Sequence, residues 1–289
     1  SGVSAIDAIS LTGAEMALKP PYTDLVTQAA DVSIDAAKEG AIISLSAHMP
    51  NFAEVYKKAK VDGKYDYGGY SPNITSGNVA NRILPGGDLN EVYNGYLDIL
   101  AKYAKQLDKA GVPVLFRPFH EANGGWFWWG NGHCDEATFK NLYKYTEDYL
   151  KDIKDVHNFI YEYSPNGPFT SEADYLIRYP GDDYVDVIAF DYYHRSPVVG
   201  DNWMDIFKQS EAVVGGIAKK KNKLAAISEV GIIQGSLNGM AISGNQRKDW
   251  FNEVLDATAG TGMSYFMSWA NFGEKDRKST RLNSSHPGY

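Results

Sequence analysis

The chain has 289 residues, 44% of them hydrophobic and 13% aromatic, enough apolar material for one large core, and reads as a single domain. Its formal net charge of -8 argues against nucleic acid, whose phosphates an acidic surface repels, and leaves a neutral polymer acceptable as a partner. Cys134 is the only cysteine, so no disulfide forms within the chain and the count is silent about redox compartment. No apolar run approaches the roughly 18 residues that cross a bilayer, and the start, Ser1-Gly2-Val3, with neither initiator Met nor signal peptide, reads as processed or cut.

In chain order, Val3 to Ile9 is an apolar run of strand type and Tyr22 to Lys38 a helical stretch. Ala41 to Met49 is the second strand. The segment from Val61 to Leu89, rich in Gly, Pro, Asn and Tyr, is too long for an ordinary connection and is a candidate substrate-binding loop. Glu91 to Lys109 carries Tyr93, Tyr96, Leu97, Leu100, Tyr103, Ala104 and Leu107 on one helical face, with Asp88 as the expected N-cap and Gly111 as the stop. Pro113 to Glu121 follows as a strand, Thr138 to Ile153 as a helix, and Phe159 to Pro165 and Val185 to Tyr193 as strands. A helix at Ile206 to Lys219, a strand at Leu224 to Val230, a helix at Gln246 to Ala257 and a strand at Met263 to Ala270 complete the series. Strands alternating with amphipathic helices predict an α/β fold, a TIM-type (β/α)8 barrel, incomplete because seven strands are visible. From Asp276 to His286 the chain is polar and aperiodic, resembling the in-frame translation of a sequencing-library adapter; residues 276–289 are therefore read as a non-native, disordered tail behind a domain of residues 1–275.

Two glutamates stand out. Glu121 closes the run Arg117-Pro118-Phe119-His120-Glu121 and is followed by Ala122-Asn123-Gly124-Gly125-Trp126-Phe127-Trp128-Trp129; Glu229 closes Ala225-Ala226-Ile227-Ser228-Glu229. Paired carboxylates at strand mouths beside flat aromatic surfaces are what sugar cleavage uses, one as acid and one as nucleophile. Period-2 alternation puts Arg117, Phe119 and Glu121 on one side of their strand, and Ile227 and Glu229 on one side of theirs. An apolar wall of Phe119 and Trp126 to Trp129 would keep Glu121 protonated, while Tyr193, His120 or Arg117 would hold Glu229 ionised. A core role competes for Trp128 and Trp129. Metal, phosphate-loop and serine-hydrolase motifs are missing, so no metal or cofactor is expected, and His133-Cys134-Asp135-Glu136 reads as a loop and helix start. Gly231-Ile232-Ile233-Gln234-Gly235 is too weak for a phosphate site.

The block Arg117 to Gly130 resembles the signature of glycoside hydrolase family 26, best known for β-mannanases. Ser46-Ala47-His48-Met49-Pro50-Asn51 is similar to that family's strand-three end, and Phe190-Asp191-Tyr192-Tyr193 to its strand-six end. The resemblance implies Glu121 as acid/base and Glu229 as nucleophile, with His48, Arg117, His120, Trp126, Asp191, Tyr193 and Trp269 in binding or support. His120 supports the nucleophile under it, His48 lies near the cleaved sugar, and Trp126 and Trp269 stack on sugar. Tyr193 is preferred to Tyr192 because the family pattern is Asp, any residue, Tyr. It further implies that the first run is the family's strand two, so that strand one and the final helix are lacking. The expected activity is retaining endo-cleavage of β-1,4-mannan, glucomannan or galactomannan. The alternatives are a β-1,3-1,4-glucanase or β-xylanase of the same family, or a non-catalytic carbohydrate-binding pseudoenzyme. A polymeric substrate implies a secreted, periplasmic or cell-surface location, and a monomer is expected.

Overall fold

The computed structural model describes residues 2–13, 16–234, 237–238 and 246–268, in two compact units. The first comprises Ser1–Pro165 and Ile177–Asp186; the second comprises Asn166–Leu176 and the chain from Val187 onward.

In the first unit, strands β1 (Val3–Asp7), β2 (Ile42–Ala47), β3 (Val114–Pro118) and β4 (Phe159–Tyr163) pair in parallel in chain order. Every residue of β3 is buried, as expected of a parallel strand covered on both faces. The helices are α1 (Leu25–Lys38), α2 (Phe52–Lys57), α3 (Val79–Arg82), α4 (Asn90–Lys109) and α5 (Glu136–Asp148). The predicted face of α4 is the buried one: Tyr93, Tyr96, Leu97, Leu100, Tyr103 and Leu107 lie within it, each worth about 1.5–3 kcal/mol of burial. The hydroxyls of Tyr103 and Ser33 meet at 2.7 Å, joining α4 to α1.

In the second unit, β5 (Val187–Arg195) and β6 (Leu224–Gln234) run parallel, with a register shift between Phe190 and Asp191. The two-residue β7 (Leu237–Asn238) turns back antiparallel on β6, whose other neighbour is the parallel β8 (Met263–Ser268). Helices α6 (Glu172–Tyr175), α7 (Trp203–Lys221) and α8 (Trp250–Thr258) accompany them. The seven strands expected from sequence are thus the seven long parallel strands of the two units.

Several boundaries differ from expectation, each for a local reason. β3 ends at Pro118, because Phe119 and Glu121 have φ of +53° and +55°, a left-handed backbone that no strand contains. Strand alternation therefore does not aim Phe119 and Glu121; a turn does. β6 continues to Gln234, so Glu229 lies inside the strand rather than at its end. Asp88 does not cap α4: Arg82 holds its carboxylate through Nε at 2.9 Å and Nη2 at 2.6 Å, and α4 starts one residue after the uncapped Leu89. The helix expected to reach Ile153 leaves α geometry after Asp148 and finishes as a π turn over Tyr149–Ile153. The long 61–89 segment is held down by Asn51, whose Nδ2 donates to the carbonyls of Ile74 and Ser76, and by Tyr67, whose hydroxyl donates to Val92 O at 2.7 Å. Residues 276–289 and Trp269 lie outside the described residues.

Candidate active site

The first unit assembles His48, Arg117, His120, Glu121 and Trp126. The β3 strand brings in Arg117 fully buried, and its Nη2 donates to Ser46 Oγ on β2 at 3.0 Å. Beyond Pro118 the chain reverses through the left-handed Phe119 and Glu121, a conformation that costs about 1 kcal/mol or more per non-glycine residue and needs external support. Support comes from three hydrogen bonds: Glu121 N–H to Ser164 O at 2.8 Å, Trp129 Nε1–H to His120 O at 2.8 Å, and Gly124 N–H to Glu121 O at 2.9 Å. The half-buried Glu121 carboxylate then accepts the indole N–H of Trp126 at 2.7 Å. Trp126 is 41% exposed, so one side of its ring remains open, whereas Trp128 and Trp129 are buried and serve packing. Trp128 Nε1–H donates to Met49 O at 3.1 Å, tying the aromatic turn to the end of β2.

The motif's glycines are needed for this fold-back. A Cβ on Gly124 would stand 2.2 Å from the Trp126 ring, so any side chain there expels the indole from Glu121. His48 and His120 lie side by side with Nε2 atoms 3.0 Å apart, and both rings pack edgewise on Phe127 at 5.5 and 5.2 Å. Burial first, then the charge of Arg117, holds the His120 imidazole well below its ordinary range, so it is neutral.

The second unit assembles Asp191, Tyr193 and Glu229. Asp191 on β5 and Glu229 on β6 are register partners and both are buried. The Tyr193 hydroxyl donates to Glu229 Oε2 at 2.6 Å. Ser228 Oγ donates to Asp191 Oδ1 at 2.6 Å. Tyr192 points the other way and stacks on Trp203 at 5.3 Å, so Tyr193 is the tyrosine that meets the glutamate. Gly231 makes room for it, since a Cβ there would lie 3.1 Å from the Tyr193 ring.

Asp7 and Ser228 escaped the sequence reading. Asp7 ends β1 and binds His48 Nδ1 at 2.5 Å; its only sequence signal was a carboxylate at the end of the first apolar run. Tyr70, from the long loop, was also unremarked, and its ring lies 5.9 Å from that of His48. The stretch His133 to Glu136 is a turn and a helix start, as expected: Cys134 is buried, with its thiol pushed up to about 12 by burial, and Asp135 caps α5 by accepting Thr138 N–H at 2.9 Å.

The family model for Glycosyl hydrolase family 26 matches residues 21–285. A mannan endo-1,4-beta-mannosidase of Bifidobacterium adolescentis is 37% identical over 247 residues, covering 83% of this chain and 23% of that protein. One from Bacillus subtilis is 34% identical over 164 residues, covering 55% of this chain and 41% of that protein. The chain thus spans less than half the length of these two curated relatives. The catalytic domain of the Bacillus sp. JAMB-750 GH26 endo-beta-1,4-mannanase is similar in structure, with a TM-score of 0.80 and 36% identity over 93% of this chain and 68% of that one. That likeness places the α/β series in the TIM-type (β/α)8 class. With more than half of its residues matched by the family model, the chain belongs to glycosyl hydrolase family 26.

Proposed function

We propose that this chain is a retaining endo-glycosidase acting on β-1,4-mannan, glucomannan or galactomannan, with Glu121 as acid/base and Glu229 as nucleophile. In such a reaction the acid protonates the departing oxygen while the carboxylate attacks the anomeric carbon; water then opens the glycosyl-enzyme, the first residue now acting as base. The observation that carries the assignment is the unequal seat of the two glutamates. Glu229 is buried and receives the Tyr193 hydroxyl at 2.6 Å, whereas Glu121 is half-buried at the tip of a turn with an indole N–H on one oxygen. The names of the similar mannosidases support mannan as substrate. His48, Arg117, His120, Asp191 and Tyr193 hold the reacting groups, and Trp126 and Trp269 stack on sugar. The enzyme works as a monomer outside the cytoplasm, secreted, periplasmic or at the cell surface, where its polymer is found. No helix among the described residues is long and apolar enough to cross a membrane.

Reducing-sugar release from mannan, mixed-linkage glucan and xylan tests the substrate, and strong activity confined to glucan or xylan would overturn mannan. Glu229→Ala should abolish turnover on every substrate. Glu121→Ala should lose polymer cleavage yet keep the first step on aryl mannosides whose leaving group needs no proton. Wild-type protein that binds mannan and cleaves none of the three polymers would establish a binding protein instead.

A further inference from the structure

Trp203, the first residue of α7, holds the end of β5 at three points. Its indole lies nearly parallel to two rings of that strand, Tyr192 at 5.3 Å and 8° and His194 at 4.5 Å and 4°. Its Nε1–H donates at 3.1 Å to the backbone carbonyl of Tyr193, the residue between them. Trp203 is 6% exposed, so water scarcely competes for that carbonyl.

Successive side chains of a strand leave on opposite faces, so an indole laid on Tyr192 and His194 sits behind Tyr193. Tyr193 leaves on the face of Glu229, its diagonal neighbour: Asp191 is in register with Glu229, and Tyr193 with Gly231. A diagonal partner is farther than a directly opposite one, so the phenol reaches it only if the strand end is held at one angle. The ladder slips just before, where Ser228 of β6 has no counterpart between Phe190 and Asp191, and such a bulge bends and twists the pair. Trp203 is itself anchored within the second unit. Asp201 Oδ1 accepts its backbone N–H at 3.3 Å and Arg247 Nη1–H at 3.0 Å, while Asp201 Oδ2 lies 2.9 Å from His194 Nε2. An indole N–H only donates, so the Trp250 bond to His194 Nδ1 at 3.0 Å leaves the His194 proton on Nε2, directed at Asp201.

We propose that Trp203 is a positioning residue for the reaction: by clamping Tyr192, the Tyr193 carbonyl and His194 together, it fixes the angle at which the Tyr193 hydroxyl meets Glu229. The role rests on the glycosidase reading above. Trp203→Phe is the informative change, because a phenyl ring keeps a flat apolar surface against Tyr192 and His194 and removes the N–H that holds the carbonyl. A residue that only fills the core would weaken the fold and leave the contribution of Tyr193 untouched. A residue that aims Tyr193 loses its importance once the Tyr193 hydroxyl is gone.

The test is a double-mutant cycle of wild type, Trp203→Phe, Tyr193→Phe and the pair, with kcat, KM on mannan oligosaccharides and thermal midpoint measured for each. Trp203→Phe should lower kcat/KM about tenfold, chiefly through kcat, but by no more than about twofold when Tyr193 is already Phe. The thermal midpoint should fall equally on both backgrounds. Equal losses of kcat/KM on the two backgrounds, or an unaltered kcat/KM in folded Trp203→Phe, would overturn the proposal. If Trp203→Phe does not fold, Trp203→Tyr, another flat ring without the indole N–H, replaces it in the cycle; failure of both to fold would make Trp203 a core residue and overturn the role. If wild type cleaves no oligosaccharide, the glycosidase reading fails and the positioning role with it, whereas uncoupled losses in an active enzyme overturn the role alone.

Discussion

Tyr193 shows how a single residue's role is made by its neighbours. Its hydroxyl reaches Glu229 at 2.6 Å, and its ring lies close over Gly231, where a Cβ would stand 3.1 Å from it. Tyr193→Phe should lower kcat/KM by roughly 10- to 100-fold, the loss of one hydrogen bond to a charged group, with little change in the thermal midpoint. Gly124→Ala makes the matching test of the other glutamate. It should displace the Trp126 indole, change tryptophan fluorescence and weaken polymer cleavage, since the Trp126 bond to Glu121 cannot survive a Cβ 2.2 Å from the ring. Glu121 and Glu229 were legible because each ends a recognisable string of residues. Asp7 was not, because an aspartate ending an apolar run has no mark until His48, 41 residues later, is folded against it.

At the scale of elements, periodicity located the helices and strands, and local chemistry moved their ends. The buried face of α4 matched its sequence pattern, yet its expected cap went to Arg82, since a bidentate guanidinium outcompetes a single backbone N–H. Asn51 shows the converse, a residue with no periodic signal that joins two elements. Its fully buried carboxamide accepts from Ala53 and Glu54 at the start of α2 and donates to Ile74 and Ser76 of the long loop. Asn51→Ala should therefore lower stability by about 1–2 kcal/mol, read from urea unfolding, because it removes a cap and the donor to the Ile74 and Ser76 carbonyls together. The same variant should raise KM more than it lowers kcat, if the loop that carries Tyr70 toward His48 binds substrate.

For the molecule as a whole, two buried carboxyls set the pH response of stability. Burial raises Glu147 on α5 and Glu211 on α7 from 4.5 to about 7, only partly opposed by Lys151 at 3.9 Å from Glu147 and by Lys208 near Glu211. Each prefers its protonated form in the folded state, so its contribution is fully present below about pH 4.5 and is lost as pH rises through 7. The thermal midpoint should fall from about pH 6.5 to 8; at lower pH the buried, neutral His120 opposes the trend. Glu147→Gln or Glu211→Gln should flatten that fall, stabilising the protein at pH 8 by up to about 3 kcal/mol and scarcely at pH 4, as calorimetry at the two pH values would show. The sequence by itself determined the α/β class and the seven strands and singled out the two glutamates, because hydrophobic period and short motifs are local properties of the chain. Tertiary structure alone decided that Glu121 sits on a left-handed turn and that Asp7 backs His48. Those outcomes depend on which distant groups arrive to satisfy a strained backbone or a buried polar atom, and no local pattern encodes that arrival.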